Sequence, residues 1–144
     1  EETSIEIDIA AYIPETYISD ELLKLHMYKK IAAIRDAGDE AEVMDELIDR
    51  FGEPPKEVEN LIKVSLIRAM AEKAGIIRIH EEPKKLVFDF LERNRLTPER
   101  IAALSAEFGM GLLIHAGVKP FMKLNHNGKN KLHLVTIFLN KFMV

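Results

Sequence analysis

The stretch I-I-R-I-H-E-E-P-K-K-L-V-F-D-F (Ile76–Phe90) decides the fold. Ile77 and Ile79 alternate with Arg78 and His80, Glu81-Glu82-Pro83 supplies a turn, and Leu86, Phe88 and Phe90 share one face of a return strand. Side chains of a strand alternate between its faces, so a period of two predicts a β-hairpin with one apolar side. Upstream of Gly75 the dominant period is 3.6 instead.

Ser19 or Asp20 can cap a first helix running to about Asp36, with a broad apolar arc of Leu22, Leu23, Leu25, Met27, Tyr28, Ile31 and Ile34. Gly38 and Asp39 break the chain, and a second helix follows over about Glu40 to Phe51, burying Val43, Leu47, Ile48 and Phe51. Gly52 suits a left-handed C-terminal cap, and Pro54 cannot extend the helix. A third helix opens at Pro55 and carries Val58, Leu61, Ile62, Leu66, Ala69 and Met70 on its apolar stripe. Before all of these, Ile5 to Ile9 alternates as a strand that Pro14 stops.

Beyond the hairpin, Thr97-Pro98-Glu99 starts a fourth helix that Gly109 closes. Leu112 to Ile114 and Pro120 to Leu124 form a second hairpin around Ala116-Gly117, and Asn127-Gly128 marks a turn. Leu132, Val135, Leu139 and Phe142 space as a final helix, although Val135, Thr136 and Ile137 are β-branched and leave a strand open. Helices first and hairpins later give an α+β class, an N-terminal helical layer packed on a small antiparallel sheet of hairpins.

The 144 residues fit one domain, 1–144. The sequence opens at Glu1 rather than Met, directly before a strand pattern, and so reads as a domain excised from a longer polypeptide. There is no cysteine, which excludes disulfides, a thiolate nucleophile and Cys-ligated metals. No apolar run reaches about 18 residues, and a cytoplasmic protein with no membrane partner is expected.

The net charge of −4 hides a gradient. Residues 1–52 hold five Lys/Arg against 14 Asp/Glu, and residues 101–144 hold five against one. An acidic front repels phosphate and suits a basic protein surface. Neither a phosphate-binding G-x-x-x-x-G-K-[ST] nor a G-x-G-x-x-G occurs, and Gly109-Met110-Gly111 reads as a helix-end turn. His26, His80, His115, His126 and His133 lack the spacing that converges on a metal. Asp39, Glu40, Glu42, Asp45, Glu46 and Asp49 sit on the start and outer face of an amphipathic helix, with no pocket signal to make one of them an acid or base. No cofactor, metal or catalytic residue is expected. Lys119, Lys123, Lys129 and Lys131 flank Phe121 and His126, and give an alternative reading as a nucleic-acid-binding accessory domain that uses the basic C-terminal hairpin.

Three stretches together resemble one family: A-Y-I-P-E-T-Y-I-S-D (Ala11–Asp20), L-H-M-Y-K-K-I-A (Leu25–Ala32) and E-L-I-D-R-F-G-E-P-P (Glu46–Pro55). In this order they are similar to the C-terminal domain of the bacterial transcription-repair coupling factor Mfd. The similarity is tight to about Gly75 and loose after Thr97. It implies a non-catalytic, autoinhibitory domain of a larger ATP-dependent DNA translocase that acts on stalled RNA polymerase. By the same resemblance the domain docks on a UvrB-like N-terminal module of its own protein and masks the surface that recruits UvrA. The positions matching Glu46, Asp49 and Arg50 look toward that module, and Glu42 extends the ridge by one turn. Spacings of three and four place Glu46, Asp49 and Arg50 on one helix face, with Leu47, Ile48 and Phe51 inward. Local pairing of Glu46 and Asp49 with Arg50 is the simpler alternative. The last helix is more apolar than the family pattern, and Phe142-Met143-Val144 either packs on this domain or forms a patch for the rest of the protein.

Overall fold

The computed structural model describes residues 2–143. Its elements are β1 (Ser4–Ile5), α1 (Glu21–Ala32), α2 (Ala37–Phe51), α3 (Lys56–Ala74), β2 (Ile76–Glu82), β3 (Lys85–Phe90), α4 (Pro98–Phe108), β4 (Leu112–His115), β5 (Phe121–Asn125) and α5 (Lys131–Met143). The chain divides into two compact units. One holds the N-terminal segment through Asp8 and everything from Met70 onward, and the other is Ile9–Ala69.

The sheet-bearing unit carries five strands in the order β1-β2-β3-β5-β4. The hairpin at Ile76–Phe90 is present, with Ile79 opposite Phe88, and β5 pairs antiparallel with both β3 and β4. Two details depart from the sequence expectation. The predicted strand Ile5–Ile9 shrinks to Ser4–Ile5 and lies parallel to β2, so the sheet is mixed rather than purely antiparallel. The whole of α1, α2 and α3 lies between those two strands, which supplies the long connection a parallel pair requires. The apolar phase of β2 also slips. A register irregularity between Ile76 and Arg78 buries Ile76 and Ile79 and leaves Ile77 46% exposed. One extra residue at a bulge moves the neighbouring side chain to the other face.

The final element is helical despite its β-branched run. Leu132, Leu134, Val135, Phe138, Leu139 and Phe142 are all buried, and the Thr136 hydroxyl donates to the Leu132 carbonyl at 2.8 Å. Packing decides here over intrinsic propensity. Phe138 stacks on Phe88 at 3.8 Å between ring centroids and 7° between planes. Phe142 lies 5.2 Å from Phe90, with the Arg100 guanidinium 4.9 Å from its ring. The apolar tail therefore packs within its own unit through Phe142, while Met143 is 37% exposed. Val144, the end of the predicted tail patch, and Glu1, the first residue of the sequence, lie outside the described residues.

In the helical unit, α1 stops at Ala32 rather than near Asp36, because Asp36 is committed to the next helix. Its extended backbone makes it the N-cap of α2, and its side chain accepts from the Asp39 N–H at 2.8 Å. Gly38 and Asp39, read from sequence as a break, form the first turn of α2. The apolar arc of α1 is only partly inward: Met27 and Ile31 are buried, whereas Leu22 and Leu25 are 79% and 52% exposed. In α2, Val43 and Leu47 are buried, Phe51 is half-buried and Ile48 is 39% exposed, against the expectation that all four point inward.

Truncating Phe138 to Ala should cost about 3–5 kcal/mol of stability, by loss of burial plus a cavity between α5 and β3. Urea unfolding followed by far-UV circular dichroism reads this as a lower midpoint at constant slope. A loss below about 1 kcal/mol would contradict a packed Phe88–Phe138 core.

Candidate protein-docking site

The three stretches that carry the family resemblance bond to one another. The Ile13 N–H donates to the Tyr28 hydroxyl oxygen at 2.8 Å, joining the first stretch to α1. The Tyr17 hydroxyl donates to the Gly52 carbonyl at 2.7 Å and lies 3.3 Å from the Leu47 carbonyl, joining that stretch to the end of α2. Its ring meets Phe51 edge-on at 6.0 Å. Gly52 sits at φ +86°, a conformation that residues with a β-carbon rarely adopt, and its N–H closes the helix on the Ile48 carbonyl. Burial, and then the charge of Glu53, push the Tyr17 phenol above its ordinary pKa, so it stays a neutral donor.

Lys30 of α1 reaches Glu46 of α2 at 2.6 Å, and Arg50 reaches the other oxygen of the same carboxylate at 2.8 Å. The Lys30 hydrogen bond, with Arg50 second, holds the Glu46 carboxyl below the ordinary carboxylate range. Arg50 is further held by Phe51, whose ring centroid lies 5.1 Å from its guanidinium carbon. Lys63 of α3 pairs with Glu40 at 3.0 Å. The second helix is thus pinned at both ends of its outer face.

Of the four residues expected at a protein interface, Glu42, Asp49 and Arg50 are exposed and Glu46 is half-buried. All four lie along the exposed side of α2. Local pairing takes up Glu46 and Arg50. Among the described residues, Glu42, Asp45 and Asp49 make no ion pair. Asp45, Glu46, Ile48 and Asp49 line one shallow depression. Lys30, Ala33, Ile34, Asp39, Glu42, Val43 and Glu46 line a groove beside it, of about 240 Å³. What the face offers is unneutralised carboxylates around a rigid helix with one exposed isoleucine. Its chemistry is complementary to arginine or lysine side chains.

Sequence reasoning missed Lys30 and Ile48, and placed Asp45 on the outer face of the helix without counting it in the interface. Lys30 belongs to another helix, so its pairing with Glu46 is tertiary and has no spacing signal. Ile48 follows the same apolar period as Leu47, and only the roll of the helix separates them. The basic C-terminal residues are less free than the sequence suggests. Lys123 pairs with Glu82 and Lys131 with Glu81, both at 2.8 Å, while Lys119 and Lys129 stay exposed. His80, another titratable group, bonds Asp89 at 3.0 Å. Among the described residues no cluster of three His, Asp or Glu is arranged to hold a metal ion, and no helix is long and apolar enough to cross a membrane.

Comparison with known proteins follows the same outline. The TRCF domain model matches residues 7–101. The transcription-repair-coupling factor of Bacillus subtilis (strain 168) is 34% identical over 110 residues, which is 75% of this chain and 9% of that protein. The Escherichia coli (strain K12) factor of the same name is 31% identical over 104 residues, 72% of this chain and 9% of that protein. The chain therefore spans only about a tenth of the length of these relatives. A crystal structure of the C-terminal domain of a transcription-repair coupling factor superposes with a TM-score of 0.85 at 29% identity, covering 99% of this chain and 93% of that one.

Because its pKa is lowered on folding, Glu46 contributes stability above the ordinary carboxylate range and loses it as pH falls through the folded value. Glu46→Gln should therefore destabilise the protein at pH 7, with the difference from wild type shrinking as the pH is lowered through the carboxylate range. Urea midpoints across that range test it. A difference that does not change with pH would mean the Lys30–Glu46–Arg50 charge pairing contributes nothing.

Proposed function

The chain belongs to the TRCF domain family, and from that premise we propose that it is the non-catalytic, autoinhibitory C-terminal domain of a transcription-repair-coupling factor. In this reading the parent protein is a cytoplasmic ATP-dependent DNA translocase that works on stalled RNA polymerase. The domain docks on the parent's UvrB-like N-terminal module through Glu42, Glu46, Asp49 and Arg50 and masks the surface to which UvrA binds. It is released when the parent engages polymerase, and repair proteins can then be recruited.

The observation that carries the reading is the unsatisfied outer face of α2. A helix that only had to be soluble would gain by pairing its carboxylates locally, as Glu46 does with Arg50. Glu42 and Asp49 instead leave two negative charges on a face whose orientation is fixed by the burial of Val43 and Leu47. A preorganised charged face loses little side-chain freedom on binding. Docking within one polypeptide operates at roughly millimolar effective concentration, so modest intrinsic affinity suffices to hold a closed state that polymerase can open.

Glu42 and Asp49 are the clean probes, since reversing Glu46 would also break its bond to Lys30. Calorimetric titration of this chain into the UvrB-like module should show binding that Glu42→Lys with Asp49→Lys weakens about tenfold or more, at an unchanged melting temperature. Unchanged affinity would sink the assigned face.

A further inference from the structure

On α1, the residues Leu22, Leu25, His26 and Lys29 all lie on the exposed side, opposite buried Met27 and Ile31. Single exposed leucines are ordinary on protein surfaces. Here two are 79% and 52% exposed and fall at i and i+3 on one helix. Leu22, His26 and Lys30 form a row with a step of four, and neighbours in such a row touch along a helix surface. The row ends at the groove that Lys30 and Ala33 share with Glu42, Val43 and Glu46. Leu22 thus leads along that row, through His26, to Lys30 and its 2.6 Å bridge to Glu46 on the acidic ridge.

We propose that the Leu22–Leu25 stripe is the apolar half of the docking surface. It is covered by the same tethered module that meets the α2 ridge, through an apolar patch bordered by arginine or lysine. The inference rests on the docking reading above and adds the residues and chemistry of a second contact. Three considerations choose this occupant over another copy of the chain. Two leucines and a histidine fall far short of the roughly 800 Å² per partner that a stable free-standing interface buries. A second copy would bring the same carboxylates, whereas Glu42, Asp45 and Asp49 of the α2 ridge call for cations. The relatives, finally, are about ten times longer than the matched stretch. That leaves ample chain for a tethered partner, for which a small mixed surface is enough.

The test uses the whole chain titrated into the purified UvrB-like module of the same protein, as wild type, as Leu22→Ser with Leu25→Ser, and as Glu42→Lys with Asp49→Lys. Because both leucines are exposed, the serine variant should melt at the wild-type temperature. It should bind about tenfold or more weakly, and it should lose the binding that persists near 1 M salt, where the charged contacts are screened. If the ridge variant fails to bind while the serine variant binds as wild type, the stripe is overturned and the docking reading stands. If wild type does not bind, both fall. A wild-type dimer in sedimentation that the serine variant abolishes overturns the proposal in favour of a second copy.

Discussion

The roll of α2 about its own axis is set by the burial of Val43 and Leu47, and every feature of its outer face follows from that roll. Burying a leucine is worth about 1.5–3 kcal/mol, whereas an exposed ion pair contributes about 0–1. The apolar pair therefore decides orientation, and the Lys30–Glu46–Arg50 pairing forms on a face already chosen. Successive residues of a helix point about 100° apart, so a roll by one position would carry carboxylates toward the core. Their desolvation would cost several kcal/mol per charge. The Asp36 cap at one end and the Tyr17–Gly52 bond at the other leave little freedom to slide.

Both units pair some of their charges. Just past β1, Glu6 forms a two-pronged pair with Arg78 of β2 and is pushed down to about 2 in pKa, mainly by that hydrogen bonding. His80 bonds Asp89, Glu82 bonds Lys123 and Glu81 bonds Lys131. Pairing thus takes up Lys123 and Lys131, two of the four lysines that flank Phe121 and His126, which weakens the case for a phosphate-binding face at that hairpin. On α2, Glu40 and Glu46 are paired, while Glu42, Asp45 and Asp49 make no ion pair among the described residues.

Much of the fold was legible in the sequence because it rests on local rules. Asp20 and Thr97 cap where expected, Gly52 and Gly109 close their helices at positive φ, and Asn127-Gly128 turns. The period change at Gly75 separates helices from strands. Misreadings arose where a tertiary choice overrides a local pattern. The helix α1 carries apolar residues on nearly every side, so periodicity could not tell Met27 from Leu25. Asp36 could have ended one helix or begun the next. A single irregularity in β2 exchanged Ile77 for Ile76, and α5 is a helix because its aromatic side chains pack, against the preference of Val135, Thr136 and Ile137. As for the site, spacing put Glu46, Asp49 and Arg50 on one helix face and the family resemblance singled that face out, while Lys30 had no such signal, since nothing in a linear sequence says which helix lies beside which.

The central claim is that this domain and UvrA compete for one module. The direct measurement is binding of UvrA to the UvrB-like module, immobilised, with and without a saturating amount of this chain. Masking predicts that the chain displaces UvrA in a dose-dependent way and that Glu42→Lys with Asp49→Lys loses this ability. A stable ternary complex, with UvrA bound as tightly in the presence of the chain as in its absence, would contradict it.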